Sequence, residues 1–191
     1  MIKGALARQT WLALIVGLAT IIAVLTIPKS NNYYIFTFAD YLGYPGNDIF
    51  LLVTNLMILV WAWRKKLRVA FGVTLAMNAA VGLIVQGIKA VKIEPWYMRP
   101  HGGDNGFPSG HACHAFTMAF FLTMFFPKFT WLWYTLAVVI SWSRVESEWH
   151  TDIQVMAGII LGIFTGWAFI AYWLRFPEAR PWQKDYVRKG L

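Results

Sequence analysis

Two histidines, His111 and His150, each stand at the polar edge of an apolar run, and each has cations close by in sequence: Lys92 and Arg99 before the first, Arg144 before the second. Imidazole serves as nucleophile, general acid or general base near neutral pH. Arginine's planar fork suits a phosphate or carboxylate, while lysine acts as a point charge. A single cation beside hydrocarbon has an ordinary explanation in snorkelling, or in pairing with Glu94, Glu146 or Glu148. Three cations converging on two histidines point instead to an oxyanion, because a charge near the bilayer core needs an anionic partner or a polar cavity. The run GFPSGH (residues 106–111) adds to this. Pro108 and Ser109 start a helix whose free N–H groups around Ser109, Gly110 and His111 form a positive-end cradle, and Gly110 lets a backbone approach closely. Alone, such a run is only a capping turn; the histidine within it changes the weighting.

These are the parts for phosphoryl transfer. One imidazole attacks phosphorus, the other protonates the leaving oxygen, and fixed positive groups stabilise the equatorial oxygens. The competing reading is a metal site, since histidines and acids ligate metals. The surrounding cations would repel a divalent ion, so neither metal nor cofactor is expected. His114, one turn after His111, reads as a helix-face residue, and His101, in HGGDNG, as solvated. The lone Cys113 excludes an intramolecular disulfide and a multi-thiolate metal site.

Apolar helices must position these groups. Of the 191 residues 58% are hydrophobic and 17% aromatic, far above a soluble domain. The formal charge of +8 lies largely in short segments flanking apolar stretches, so it reads as membrane topology rather than nucleic-acid binding. An all-α, polytopic membrane protein with a six-transmembrane-helix bundle is expected, as a single domain over 1–191. The spans run near Trp11–Pro28, Ile49–Trp63, Val69–Ile88, Gly110–Phe126, Trp131–Trp142 and Ile153–Phe176. The aromatic stretch NNYYIFTFADYLGYPGND between the first two suits an interfacial segment. The first span reads as a retained signal anchor.

Placing the N-terminus in the cytoplasm puts twelve of the seventeen lysines and arginines inside, leaving Lys29, Lys89, Lys92, Arg99 and Arg144 outside. Both termini are then cytoplasmic, and both polar clusters open on the outer face, periplasmic in a bacterial inner membrane. Gly158, Gly162 and Gly166, four apart, offer a face for close helix packing within the bundle. The tail RFPEARPWQKDYVRKGL reads as a cytoplasmic interfacial segment.

With these residues in place, the chain resembles the type 2 phosphatidic acid phosphatase superfamily of membrane lipid phosphatases, related to vanadium haloperoxidases and glucose-6-phosphatase. The family signature K-x6-R-P is matched by KIEPWYMRP (Lys92, Arg99, Pro100), P-S-G-H by Pro108 to His111, and the start of S-R-x5-H-x3-D by SRVESEWH (Ser143, Arg144, His150). The resemblance covers roughly residues 85–160. It implies a metal-independent phosphatase with His150 as nucleophile forming a phosphohistidine, His111 as general acid, and Lys92, Arg99, Ser109, Gly110 and Arg144 binding phosphate. One position departs: Gln154 stands where the family places its last aspartate. Its carbonyl can still accept an Nδ1–H bond and hold the ring, but lacks the charge that favours an imidazolium. Asp152 is either a substitute partner for His150 or the N-cap of the last helix. Glu146 and Glu148 read as rim residues or partners of Arg144 and Arg99.

The expected substrate is a phosphate monoester or diphosphate carried by a lipid, since the cradle lies at headgroup height. Undecaprenyl diphosphate, phosphatidylglycerophosphate, phosphatidic acid and the phosphate of lipid A are the candidates. Membrane lipids are the expected surroundings, with no nucleic acid. Two alternatives stand: a phosphotransferase sharing the first half-reaction, and a weakly active or non-catalytic lipid-phosphate binding protein.

Overall fold

The computed structural model describes residues 2–181. Among the described residues there are seven α-helices: α1 (Ile2–Thr26), α2 (Tyr33–Tyr41), α3 (Asn47–Arg64), α4 (Arg68–Val91), α5 (Gly110–Phe125), α6 (Thr130–Glu146) and α7 (Asp152–Trp173). Among the described residues, four helical stretches are long and apolar enough to cross a membrane: Gly4–Thr26, Tyr33–Arg64, Arg68–Val91 and Asp152–Trp173. The chain is thus an all-α polytopic membrane protein.

Helices α5 and α6 have 16 and 17 residues. At 1.5 Å per residue they reach about 25 Å, short of the roughly 30 Å of a hydrocarbon core. The reason for α5 is its position. A helix apolar all round belongs in the interior, and every residue of α5 from Ala112 to Phe125 except His114 is buried. It packs chiefly on α7 and α6. Gly158, Gly162 and Gly166 of α7 make the closest approach, as expected from their spacing. A Cβ at Gly162 would run into Cys113 O, with Cys113 C and Cα at 3.1 Å, and one at Gly166 would lie 2.8 Å from Phe120 Cβ.

The expected interfacial segment takes a different form. Asn32 caps α2, its side-chain oxygen accepting from Tyr34 N at 2.8 Å. A π-helical turn over Leu42–Gly46 then carries the chain unbroken into α3. Glycine and proline ordinarily end helices, yet the wider turn accommodates Pro45, which lacks an N–H. The continuous path Tyr33–Arg64 holds 32 residues, about 48 Å at 1.5 Å per residue, so its first turns project past a hydrocarbon core of about 30 Å.

One end of the bundle gathers the connections that matter. Lys29 pairs with Glu148 at 3.1 Å, and Glu146 accepts from Ser30 N at 2.9 Å, which ties the α1–α2 link to the α6–α7 turn. The loop 92–109 lies at the same end, closed by Arg99 N to Gly103 O (2.8 Å) and Gly106 N to Tyr97 O (2.6 Å). At the opposite end Glu178 accepts from Val69 N (3.0 Å) and Ala70 N (2.6 Å), satisfying free N–H groups at the start of α4. The interfacial tail expected after α7 lies beyond residue 181 for the most part, outside the described residues.

Candidate active site

Apart from Arg99, which lies in the loop 92–109, each candidate group sits at or beside a helix terminus on the same end of the bundle. Ser109 is the N-cap of α5, in extended conformation, so His111 falls in the first turn where free N–H groups and the helix dipole favour an anion. Arg144 ends α6, and His150 closes the turn after it, its N–H bonded to Arg144 O at 3.0 Å. Gln154 is in the first turn of α7. The two termini are joined directly: Ser109 N donates to Gln154 O at 2.9 Å.

Arg144 is 1% exposed, and its Nε and Nη1 have no hydrogen-bond partner in the protein. The half-buried Arg99 likewise leaves its Nε unpartnered. Both guanidinium groups lie over the Trp149 ring, 5.4 and 5.6 Å from its centroid. An uncompensated buried charge costs several kcal/mol, on the order of 3–5. Arg144 and, less deeply, Arg99 thus hold unpartnered cationic N–H groups over one ring, an arrangement that can receive an oxyanion. Trp149 is held by Asp40, which accepts from its Nε1 at 2.6 Å, and by stacking on Tyr44.

The third cation of the cluster is Lys89, which reasoning from the motif passed over. It lies in the last turn of α4, 9% exposed. Lys89, Arg99 and Arg144 lie within electrostatic reach of the His111 ring and of the His150 ring alike. Lys92, the lysine of the motif, is directed elsewhere. It is the left-handed C-cap of α4 (φ 50°), and its exposed ammonium bonds Asp104 at 2.7 Å, which raises its pKa above the usual lysine value. Burial lowers the pKa of Arg99.

His150 is 1% exposed. Burial, and then the charge of Arg144, hold its pKa well below the ordinary histidine value, against the opposing effect of its bond to Gln154. That bond runs between His150 Nδ1 and Gln154 Oε1 at 3.0 Å. The amide orientation follows from its other end, where Nε2 donates to Trp96 O (2.6 Å) and Met98 O (2.7 Å). Oε1 is therefore the acceptor, Nδ1 carries the proton, and Nε2 of His150 keeps its lone pair.

Several expectations are corrected. The N-cap of α7 is Thr151, in a capping box with Gln154, so Asp152 is neither cap nor partner of His150; its carboxylate accepts from Ile153 N at 2.8 Å. Of the two readings of Glu146 and Glu148, pairing with Arg144 and Arg99 does not hold, since they bond Ser30 and Lys29; Glu148 is an exposed rim residue. His101 is exposed, as read, yet packs edge-on against Trp149 at 4.8 Å. Gly43 of the π-turn was not singled out. A Cβ there would come 2.7 Å from Ser143 Oγ and 3.1 Å from Arg144 Cδ, so its lack of a side chain admits the arginine. Among the described residues no three His, Cys, Asp or Glu side chains converge as metal ligands.

A helical membrane protein with histidines and unpartnered guanidinium groups gathered at one end of its bundle is the class these features define. The sequence model of the PAP2 superfamily matches residues 88–178, the stretch that carries this pocket. Across that stretch the chain is similar to the PAP2 superfamily. Among its relatives, the bacitracin transport permease protein BcrC of Bacillus licheniformis is 28% identical over 127 residues, covering 61% of this chain and 62% of that protein. An undecaprenyl-diphosphatase of Sulfolobus acidocaldarius is 26% identical over 129 residues, 64% of this chain and 63% of that one. A lipid A 4'-phosphatase of Bacteroides thetaiotaomicron is 37% identical over 73 residues, 36% and 31% of the two chains. The chain thus spans less than two thirds of the length of each of these three relatives. No solved structure matches it.

Proposed function

We propose that the protein is an integral-membrane phosphatase that hydrolyses a lipid phosphate monoester or diphosphate at the outer membrane face through a phosphohistidine at His150. The observation that carries this reading is the buried Arg144 and half-buried Arg99, both with unpartnered N–H, beside a histidine whose Nδ1 is bonded to Gln154 so that Nε2 keeps its lone pair. Arg144, Arg99 and Lys89 bind the phosphoryl oxygens, with the first-turn N–H groups of α5 at Ser109 and Gly110 completing the cradle. His150 Nε2 attacks phosphorus, the bond from phosphorus to the lipid-side oxygen breaks, and His111 delivers a proton to that oxygen. Water then attacks the phosphohistidine, the P–N bond breaks, inorganic phosphate leaves, and His111 takes the proton of the water. The positive groups neutralise charge on the equatorial oxygens throughout, which lowers the barrier without a resident metal or cofactor. Undecaprenyl diphosphate is the first substrate to try, given the undecaprenyl-diphosphatase relative, and the lipid A 4'-phosphatase relative supports a lipid A phosphate as the second. In this reading the chain crosses the membrane six times, with α5 buried inside the bundle and α6 at its side, and the site lies at headgroup height.

The test is phosphate release by the detergent-purified full chain from undecaprenyl diphosphate, phosphatidylglycerophosphate, phosphatidic acid and lipid A, with His150→Ala beside it. Turnover on at least one lipid, an acid-labile phosphoryl adduct on the parent, and neither in His150→Ala are expected. Equal phosphate release by parent and variant would remove His150 from the mechanism. An acceptor lipid or glycan added to the assay separates hydrolysis from transfer, because transfer leaves phosphate on the acceptor.

A further inference from the structure

Gln154 is fully buried, and its backbone and amide make six hydrogen bonds. Oε1 accepts from His150 Nδ1 (3.0 Å) and Thr151 N (3.1 Å); Nε2 donates to Trp96 O (2.6 Å) and Met98 O (2.7 Å). Its own N–H donates to Thr151 Oγ1 (3.3 Å), and its carbonyl accepts from Ser109 N (2.9 Å). Gly106 lies against the amide, where a Cβ would come 2.9 Å from Oε1. The loop 92–109 therefore meets the start of α7 at Trp96, Met98, Gly106 and Ser109, each time through Gln154. Arg99 directly follows Met98, and its backbone N–H closes the loop on Gly103 O.

We infer that Gln154 is a positioning residue that ties the loop bearing Arg99 to the ring of His150, so that phosphate-binding and attacking groups are held in one frame, and that no carboxylate can replace it. An amide presents an acceptor on one side and two N–H donors on the other, which is what His150 and the two carbonyls require. Aspartate is one methylene shorter and has no donor when ionised. Glutamate has the reach, but its second oxygen would face Trp96 O and Met98 O, three acceptors together with no proton between them. An aspartate at 154 therefore gains a charge behind His150 and loses the loop. The binding consequence rests on the phosphatase reading; the attachment of the loop does not.

The experiment has two arms on the full chain in detergent. Amide hydrogen exchange is followed without substrate in the parent, Gln154→Glu and Gln154→Asp. The N–H groups of Arg99, Gly102 and Gly106 are expected to exchange at least about tenfold faster in both variants, for the loss of two buried hydrogen bonds. Amides within α5, α6 and α7 keep their protection, which shows that the fold is intact. In the second arm the inhibition constant of inorganic phosphate rises by about the same factor, and adding Arg99→Ala to Gln154→Glu weakens phosphate little further, because both changes remove one group from the pocket. Gly106→Ala leaves Gln154 in place but drives a methyl into its amide, and is expected to reproduce both effects if the glutamate variant does not fold. Unchanged loop exchange overturns the inference, whatever the turnover. So does a Gln154→Asp protein with parental or higher kcat/KM and unchanged phosphate inhibition, the behaviour of a residue that only orients His150. A parent without turnover but with the expected exchange pattern would count against the phosphatase reading alone.

Discussion

His150 and Lys89 carry the sharpest consequences at the scale of single residues. Attack requires a neutral imidazole, and burial beside Arg144 lowers the pKa of His150. The acid limb of kcat/KM should therefore lie below pH 6.5, the ordinary histidine value, and a profile on a lipid substrate from pH 4 to 9 reads it directly. The same shift acts on stability with a definite sign. In the unfolded chain the ring takes up a proton near 6.5, while the folded ring resists it, so this contribution is complete above pH 6.5 and is lost as the pH falls toward the folded value. Unfolding in detergent across that range should show it, with the slope reduced in His150→Gln. For the cations, Lys89→Ala should lower kcat/KM by about 10- to 100-fold, the worth of one charge-assisted bond of roughly 1.5–3 kcal/mol. Lys92→Ala should change it less than about threefold, because an exposed pair such as Lys92–Asp104 contributes little. A reversed order would return the phosphate contact to Lys92.

Among elements, the contact between α5 and α7 fixes the distance between the two histidines, since each helix carries one candidate group at or just before its N-terminus. Gly162→Ala drives a methyl into Cys113 O, backbone that cannot yield as a side-chain tip can. A loss of about 1–3 kcal/mol is expected, read as a fall of several degrees in the detergent melting temperature, with activity falling alongside as the helices part. Gly4→Ala, with open space around it, serves as the control. The glycine spacing of α7 and the apolar periphery of α5 made this packing legible in the sequence, as did Ser109 at the head of α5. The lysine was not legible in the same way. Lys89 and Lys92 are less than one turn apart, and the choice between them depends on where α4 stops; the left-handed conformation of Lys92 swings that side chain out toward Asp104. Trp149, Asp40 and Gly43 come from separate parts of the chain and meet only through tertiary packing, so no local spacing announces them. The π-turn at Leu42–Gly46 was hidden for the opposite reason: its glycines and proline are the residues that ordinarily end helices.

The whole molecule is polarised along the bundle. Its site end carries the buried cations Lys89 and Arg144 with half-buried Arg99, while Arg64, Lys65, Lys66, Arg68 and Lys128 cluster on short connections at the other end. Positive residues on short loops stay in the cytoplasm, so the proposed orientation turns the site end outward, where the oxyanion of the proposed reading compensates its cations. The orientation can be read with unusually little background, since Cys113 is the single cysteine of the chain and is fully buried in α5. Asp104→Cys, in the exposed loop of the site end, should react with a membrane-impermeant maleimide in intact cells. Lys65→Cys, exposed between α3 and α4, should react only after the membrane is opened. The opposite pattern would turn the pocket toward the cytoplasm and require a lipid phosphate of the inner leaflet as substrate, leaving the chemistry at His150 unchanged.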